Sequence, residues 1–349
     1  MMRLTVPGKV MLSGEYGVLS GGLAALVPLP RYMVLEQLAT QPDGDYPPVV
    51  DKGRQYFMNA TEHHEREHGV PHVAIDRTAF DAADPQGRML KLGIGSSSAE
   101  AAGVLGLRLL CAGQRISGNE AAFLEDVLTL HGRVQDGRGS GADCAVAALG
   151  RPILFRGGKG VSVELMKRGT DTVPLNLLWS GIPADSREFV GKYEFWAGND
   201  PEAPAMIREL MEASEYLGRA WFQEGERELF GLIDAHNAVM KEISKSAGIS
   251  YFMPVHTQLD AWARRHGGRC KPTGAGGGDM VLMAGELPLE QLPRLCIPLR
   301  VDEVFGLTTI ASQLDAHADR LEAEAESESV SESETGSEAG SGSGDRGEG

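Results

Sequence analysis

Apolar and polar positions along the chain change period several times, and each change marks an element. Near the N-terminus the apolar residues come in short strand-like runs, Val10-Met11-Leu12, residues 24–27 and Met33-Val34-Leu35, cut by Ser13-Gly14 and Gly21-Gly22. Residues 52–68 predict a polar helix, and residues 72–76 a strand. From Ala101 the period turns helical, with Val104, Leu105 and Leu109 on one face and Leu107 and Leu110 making the helix apolar nearly all round. Residues 119–134 are amphipathic through Phe123, Val127, Leu130 and Val134. Strand-like runs follow at 152–155, 161–165 and 175–179. Helices are then predicted over 201–223, 225–247 and 254–266, carried by Leu210, Leu217 and Trp221 and by Leu229, Leu232, Ile233 and Val239. A strand at 280–284 and a helix at 311–325 close the pattern.

Three glycine-rich loops, and a fourth related to the second, interrupt it. In the first, Pro7-Gly8-Lys9 reads as a turn at the mouth of a strand, and Glu15 and Tyr16 follow the Gly14 break. A lone lysine is ordinarily a solvated charge; Glu15, six residues on, leaves a shared site open. The second runs from Gly93 through Gly95, Ser96, Ser97 and Ser98 into the apolar helix, and two readings compete for it. Ser97-x-x-Glu100 fits a capping box. The same stretch also fits an anion site, where glycine backbone and free N–H groups meet the positive end of a helix dipole. It is not a Walker A loop, because no Gly-Lys-Ser/Thr follows. A related loop, Gln135-x-Gly137-x-Gly139-Ser140-Gly141-x-Asp143, puts Asp143 at the head of a small-residue helix, either as a first-turn charge or as a catalytic carboxylate. The third, Lys271 to Asp279, holds four glycines just before an apolar strand, so its backbone passes close to something.

Composition narrows the function classes. The 349 residues are 42% hydrophobic and 23% charged, as expected of a soluble chain of two domains. Half of the net charge of −16 falls in residues 322–349, so the rest is only mildly acidic, which argues against nucleic acid as a partner. Cys111, Cys144, Cys270 and Cys296 form no CxxC pair, in keeping with a reduced cytoplasm. No signal-peptide pattern and no run of about 18 apolar residues predict a membrane partner. His63, His64, His68 and His72 lack an HExxH arrangement and read as a solvated face. The Ser/Glu/Gly repeats of 326–349 cannot bury a core and are expected to be disordered.

Taken in order, the loops resemble those of the GHMP kinases, the small-molecule kinases of galactose, homoserine, mevalonate and phosphomevalonate. Residues 7–19 look like the first motif of that family, residues 93–99 like its phosphate loop and residues 271–279 like its third motif. Gly14-Glu15-Tyr16, in place of Gly-Glu-His, and Gly278-Asp279, in place of a further glycine, resemble the phosphomevalonate kinase branch, as does Trp179-Ser180-Gly181.

The resemblance implies an α+β, two-domain GHMP kinase fold. A ribosomal-protein-S5-like ATP-binding domain would span 1–182, a ferredoxin-like domain 183–325, and an acidic tail 326–349. It implies ATP and Mg²⁺ as cofactors and phosphorylation of (R)-5-phosphomevalonate in the mevalonate route to isoprenoids. Lys9 and Asp143 match the catalytic pair; Gly93, Gly95, Ser96, Ser97 and Ser98 would bind the ATP phosphates, Ser97 also as a metal ligand. Glu15, Tyr16, Ser140, Gly276 and Gly277 would contact substrate. Arg138 is the cation placed within a motif for the acceptor phosphate, with Lys91 and Arg187 as further candidates. Mevalonate kinases carry a metal-binding Glu where this chain has Gly132, which leaves the metal shell open. The alternatives are a mevalonate kinase, another GHMP kinase, or a non-catalytic sensor of ATP and metabolite; retention of Lys9, Ser97 and Asp143 together speaks against the sensor.

Overall fold

The computed structural model describes residues 2–40, 51–52, 72–83, 87–135, 137, 139–158, 160–169, 172–184, 186–292 and 294–338, the last fourteen of these as backbone only. The polar helix expected over 52–68, with its histidines, lies almost wholly outside these residues, as does Arg138.

Two antiparallel sheets organise the chain. The first has five strands: β1 (Arg3–Ser13), β2 (Leu23–Leu38), β6 (Ile153–Arg156) and β7 (Ser162–Leu165) in the order β1-β2-β6-β7, with β3 (His72–Asp76) also on β2. The short runs read near the N-terminus are thus pieces of two long strands. Both strands are covered on both faces, so nearly every residue of β1 from Val6 is buried and strict alternation is lost. The Pro7-Gly8-Lys9 segment is a register shift within β1 rather than a turn, and it places Lys9 inside the strand.

Three helices connected to the glycine loops pack together: α1 (Ser96–Cys111), α2 (Glu120–Val134) and α3 (Ala142–Leu149). Of these, α1 and α3 lie on β1 and β2. Gly103 and Gly106 let α1 approach that sheet, since a Cβ would strike Leu35 at the first and stand 2.8 Å from Leu4 at the second. A small two-stranded ribbon, β4 (Asp81–Ala83) with β5 (Met89–Lys91), precedes the phosphate-loop sequence.

The second sheet has the order β11-β8-β10-β9, formed by β8 (Leu175–Trp179), β9 (Arg269–Pro272), β10 (Met280–Ala284) and β11 (Cys296–Pro298). Strand β8 therefore belongs with the C-terminal strands, and the chain leaves the first sheet between Leu165 and Leu175. That is upstream of the boundary at 182 expected from the sequence, because β8 finds its hydrogen-bond partners about 100 residues later. Helix α4 (Ser186–Asn199) was not expected from the sequence. Helices α5 (Ala203–Ala220), α6 (Glu226–Ser246) and α7 (Pro254–Arg265) match the three expected.

After α8 (Val301–Phe305), helix α9 (Ile310–Glu338) returns to the first sheet. Gln313 accepts from the Thr5 N–H at 2.9 Å and donates to the Thr5 carbonyl at 2.8 Å, satisfying the open edge of β1 as a further strand would. The backbone of α9 continues past residue 325 into the segment expected to be disordered, where Glu and Ser alternate and no proline stops it.

Candidate active site

Five chain segments meet at one cleft of about 220 Å³, lined by Lys9 and Tyr16, by Gly93, by His131, Ser140 and Asp143, by Ser186 and Val190, and by Thr273, Ala275 and Asp279. Its centre is an ion pair. Lys9 Nζ lies 2.9 Å from Asp143 Oδ2; the lysine side chain is 10% exposed and the aspartate 42%. Strand β1 aims the lysine, and its backbone N–H is held by the Ile94 carbonyl at 2.9 Å. Helix α3 aims the aspartate from its first turn, after Gly141 at φ +81°. The positive φ at Gly141 favours glycine, and a Cβ there would also meet the end of the Leu128 side chain.

Gly95 is the N-cap of α1 at φ +86°, and a Cβ there would sit 2.7 Å from Lys9 Cε. The lysine thus crosses the positive end of α1 on its way to Asp143, and its charge adds to that of two helix N-termini. The capping box does not form. Glu100 pairs with Arg77 at 3.0 Å, and the Ser98 hydroxyl donates to the Gly95 carbonyl at 2.9 Å. The first-turn N–H groups of α1 are therefore uncapped by any side chain.

Ser97 is one step removed from the cleft, linked to it by His131, whose Nε2 is 3.1 Å from Ser97 Oγ. Burial lowers the His131 imidazole, with Lys9 acting in the same direction and Asp143 against it, so the ring is neutral near pH 7 and able to share this hydrogen bond. No motif marks His131 in the sequence; its signal was a histidine in the last turn of α2, beside Gly132 and on the edge of the apolar stripe.

Glu15 and Tyr16 are turned to other work. The Glu15 carboxylate is sealed from solvent, paired with Lys271 Nζ and 3.4 Å from His236 Nε2. Burial raises Glu15 and lowers Lys271, and each partner opposes the other's shift. Burial, with the Lys271 charge, holds His236 well below its usual range. Glu15 nonetheless belongs to the wall of the cleft, with its carboxylate held by Lys271. Tyr16, at φ +56°, donates its hydroxyl to the Ala275 carbonyl at 2.6 Å and packs 5.0 Å from the Tyr193 ring, tying the first loop to the third.

Gly276 and Gly277 are not among the residues lining the cleft: a Cβ at Gly276 would strike the Tyr251 ring and one at Gly277 the Phe189 ring, so these glycines admit close aromatic packing. The Ser140 hydroxyl lines the cleft and accepts from the Ala142 N–H at 3.3 Å. Lys91 is exposed, and the Arg187 guanidinium donates to Gln135 Oε1 at 3.2 Å.

Magnesium takes oxygen ligands and usually keeps waters and substrate phosphates in its shell. Ser97 Oγ and the half-exposed Asp143 carboxylate supply oxygens, while no group of three or more His, Cys, Asp or Glu side chains gathers among the described residues. This donor set fits an ion that enters with a nucleotide's phosphates. Among the described residues no helix is long and apolar enough to cross a membrane.

No family model matches the chain, and no curated protein matches it. Solved structures do. A Lin0012 protein from Listeria innocua is 18% identical with a TM-score of 0.67, over 91% of this chain and 94% of that one. The Streptococcus pneumoniae phosphomevalonate kinase in complex with phosphomevalonate and AMPPNP is 16% identical at TM-score 0.66, over 92% and 97%. The L. major mevalonate kinase in complex with R-mevalonate is 16% identical at 0.59, over 85% and 96%. At such identities a likeness speaks for architecture, and the architecture of this chain is the α+β fold of the GHMP kinases.

Proposed function

We propose that this protein is a small-molecule kinase that transfers the γ-phosphoryl group of ATP to the phosphate of (R)-5-phosphomevalonate, giving the 5-diphosphate. The observation that carries the reading is the Lys9–Asp143 pair, set at the N-termini of α1 and α3 in one cleft. Phosphoryl transfer asks a protein for positioning and charge neutralisation more than for covalent chemistry. The uncapped start of α1, with Gly93, Gly95, Ser96, Ser97 and Ser98, supplies N–H and hydroxyl donors to ATP phosphates. Ser97 and Asp143 would hold Mg²⁺, which would supply positive charge to neutralise phosphate oxygens.

An oxygen of the acceptor phosphate attacks the γ-phosphorus, the bond to the β,γ-bridging oxygen breaks, and ADP leaves. Lys9 would neutralise the migrating group while Asp143 orients the attacking oxygen. Since the second pKa of a phosphate monoester is about 6, this acceptor arrives largely deprotonated and needs little from a general base. The fold shared with the S. pneumoniae phosphomevalonate kinase supports this acceptor, as do Tyr16 and Asp279, both in the cleft wall.

A coupled ADP-release assay with Mg-ATP, comparing 5-phosphomevalonate and mevalonate at matched concentrations, tests the reading. Turnover on phosphomevalonate alone is expected. Turnover on mevalonate alone overturns the acceptor and keeps the kinase; silence on both overturns the kinase.

A further inference from the structure

Three residues other than glycine have positive φ among the described residues, and two of them, Tyr16 and Asp279, line the cleft. Strained backbone that persists is over-determined by its surroundings and gathers at functional sites. At Asp279, φ is +49°; its N–H donates to the Ile182 carbonyl at 2.6 Å and its carbonyl accepts from the Ser180 N–H at 2.8 Å. The side chain is placed as firmly. Oδ1 accepts from the Ala184 N–H at 3.1 Å, and Cγ and Oδ2 fill the space that a Cβ on Gly93 would need. An acid from the loop leading into β10 thus lies against the glycine that opens the phosphate loop.

That position is electrostatically odd. An ionised carboxylate beside a loop built to receive phosphate would repel its ligand, by an amount that grows as water leaves the cleft. Burial raises the Asp279 carboxyl to about 6, against the lowering effects of the Ala184 N–H and of Lys9. Lys9 is the charged group that acts on it, and Lys9 is already paired with Asp143. An arriving phosphate pushes the carboxyl further toward its acid form.

We propose that Asp279 is a specificity-determining residue that takes up a proton as substrate binds and donates a hydrogen bond through Oδ2 to a phosphate oxygen at the Gly93 edge of the cleft. The inference rests on the kinase reading above. The phosphate belongs either to the nucleotide or to the phosphorylated acceptor, and the two are separable by experiment.

Asn and Gly both accept positive φ, so Asp279→Asn and Asp279→Gly probe the carboxyl rather than the turn. Asn also keeps an acceptor for the Ala184 N–H and an N–H₂ donor in place of the acid. Calorimetric titration of the full chain with Mg-AMPPNP, and separately with 5-phosphomevalonate, is run at pH 7.5 in buffers of different ionisation heat. On one of the two arms, wild type is expected to take up about one proton more than Asp279→Asn, a difference that a purely structural role does not produce. On that arm Asn binds within about threefold of wild type and Gly about tenfold or more weaker, as for a lost hydrogen bond to a charged group. Equal proton uptake in wild type and Asn on both arms overturns the proposal. So does an Asn variant as weak as Gly, which would mean that the carboxylate accepts rather than donates. Wild type that binds neither ligand overturns the kinase reading along with it, whereas wild type that binds without these differences overturns Asp279 alone.

Discussion

Two lysine–carboxylate pairs flank the end of β1, one wet and one dry. Lys9 meets Asp143 at the cleft, where the aspartate is 42% exposed; Lys271 meets Glu15 with both side chains sealed. The chemical groups are alike and their environments assign them different work. The open pair stays accessible to substrate and sits where helix N-termini concentrate positive potential. The sealed pair joins the first loop to β9 of the second sheet, and its value lies in holding the two sheets in register. Removing one partner of such a pair strands a charge away from water, which costs far more than the pair itself contributes.

Breaking the dry pair should therefore have the largest effect. Lys271→Met is expected to lower stability by about 3–5 kcal/mol in chemical denaturation, and adding Glu15→Gln to recover most of it. A Lys271→Met protein as stable as wild type but poor in turnover would invert the comparison and make the dry pair catalytic.

Lys9→Met should lower turnover by about 10²–10³-fold with little change in melting temperature, the scale of losing one preorganised electrostatic group. Asp143→Asn should cost less, on the order of tenfold and below the usual range for a general base, because the acceptor phosphate is already ionised. Steady-state kinetics on both variants orders the two; a larger loss at Asp143 would favour an alcohol acceptor.

Asp279 stands between the two pairs in burial and sharpens the contrast through pH. Its folded-state carboxyl is raised from 3.8 to about 6. Its acid form thus favours the fold fully below pH 3.8, and that contribution is lost as the pH rises through about 6. The melting temperature of Asp279→Asn should accordingly gain on wild type, by on the order of a few degrees, between pH 4 and 6 and stay level above. A constant difference across that window would mean that the carboxyl is not perturbed by folding. The smallest effect is expected far from either pair: deleting residues 326–349 should leave turnover unchanged in the same ADP-release assay.

Much of this arrangement was legible in the chain. Helical and strand periods are local properties, so α2, α5, α6, α7 and β10 lie within a few residues of their expected limits, and β3 matches. Turn chemistry is local as well: Gly95 and Gly141 take left-handed backbone that suits glycine. Where a strand is buried on both faces the alternation disappears, and β1 and β2 read as fragments. Helix α4 was missed because its apolar stripe is thin, with Tyr193 and Trp196 as its buried residues.

The sequence by itself determined most of the elements and the order of the glycine loops, because period and turn chemistry are local, and the resemblance of those loops to the GHMP kinases singled out Lys9 and Asp143. Only the tertiary structure decided what each group meets. Glu15 is adjacent to Tyr16 in a motif that suggests substrate, yet its partner is Lys271, 256 residues away. Ser97 finds His131 rather than Glu100, and Asp279 comes to rest over Gly93. Such contacts depend on how two sheets dock, and no local pattern encodes which distant side chain will arrive to satisfy a buried charge.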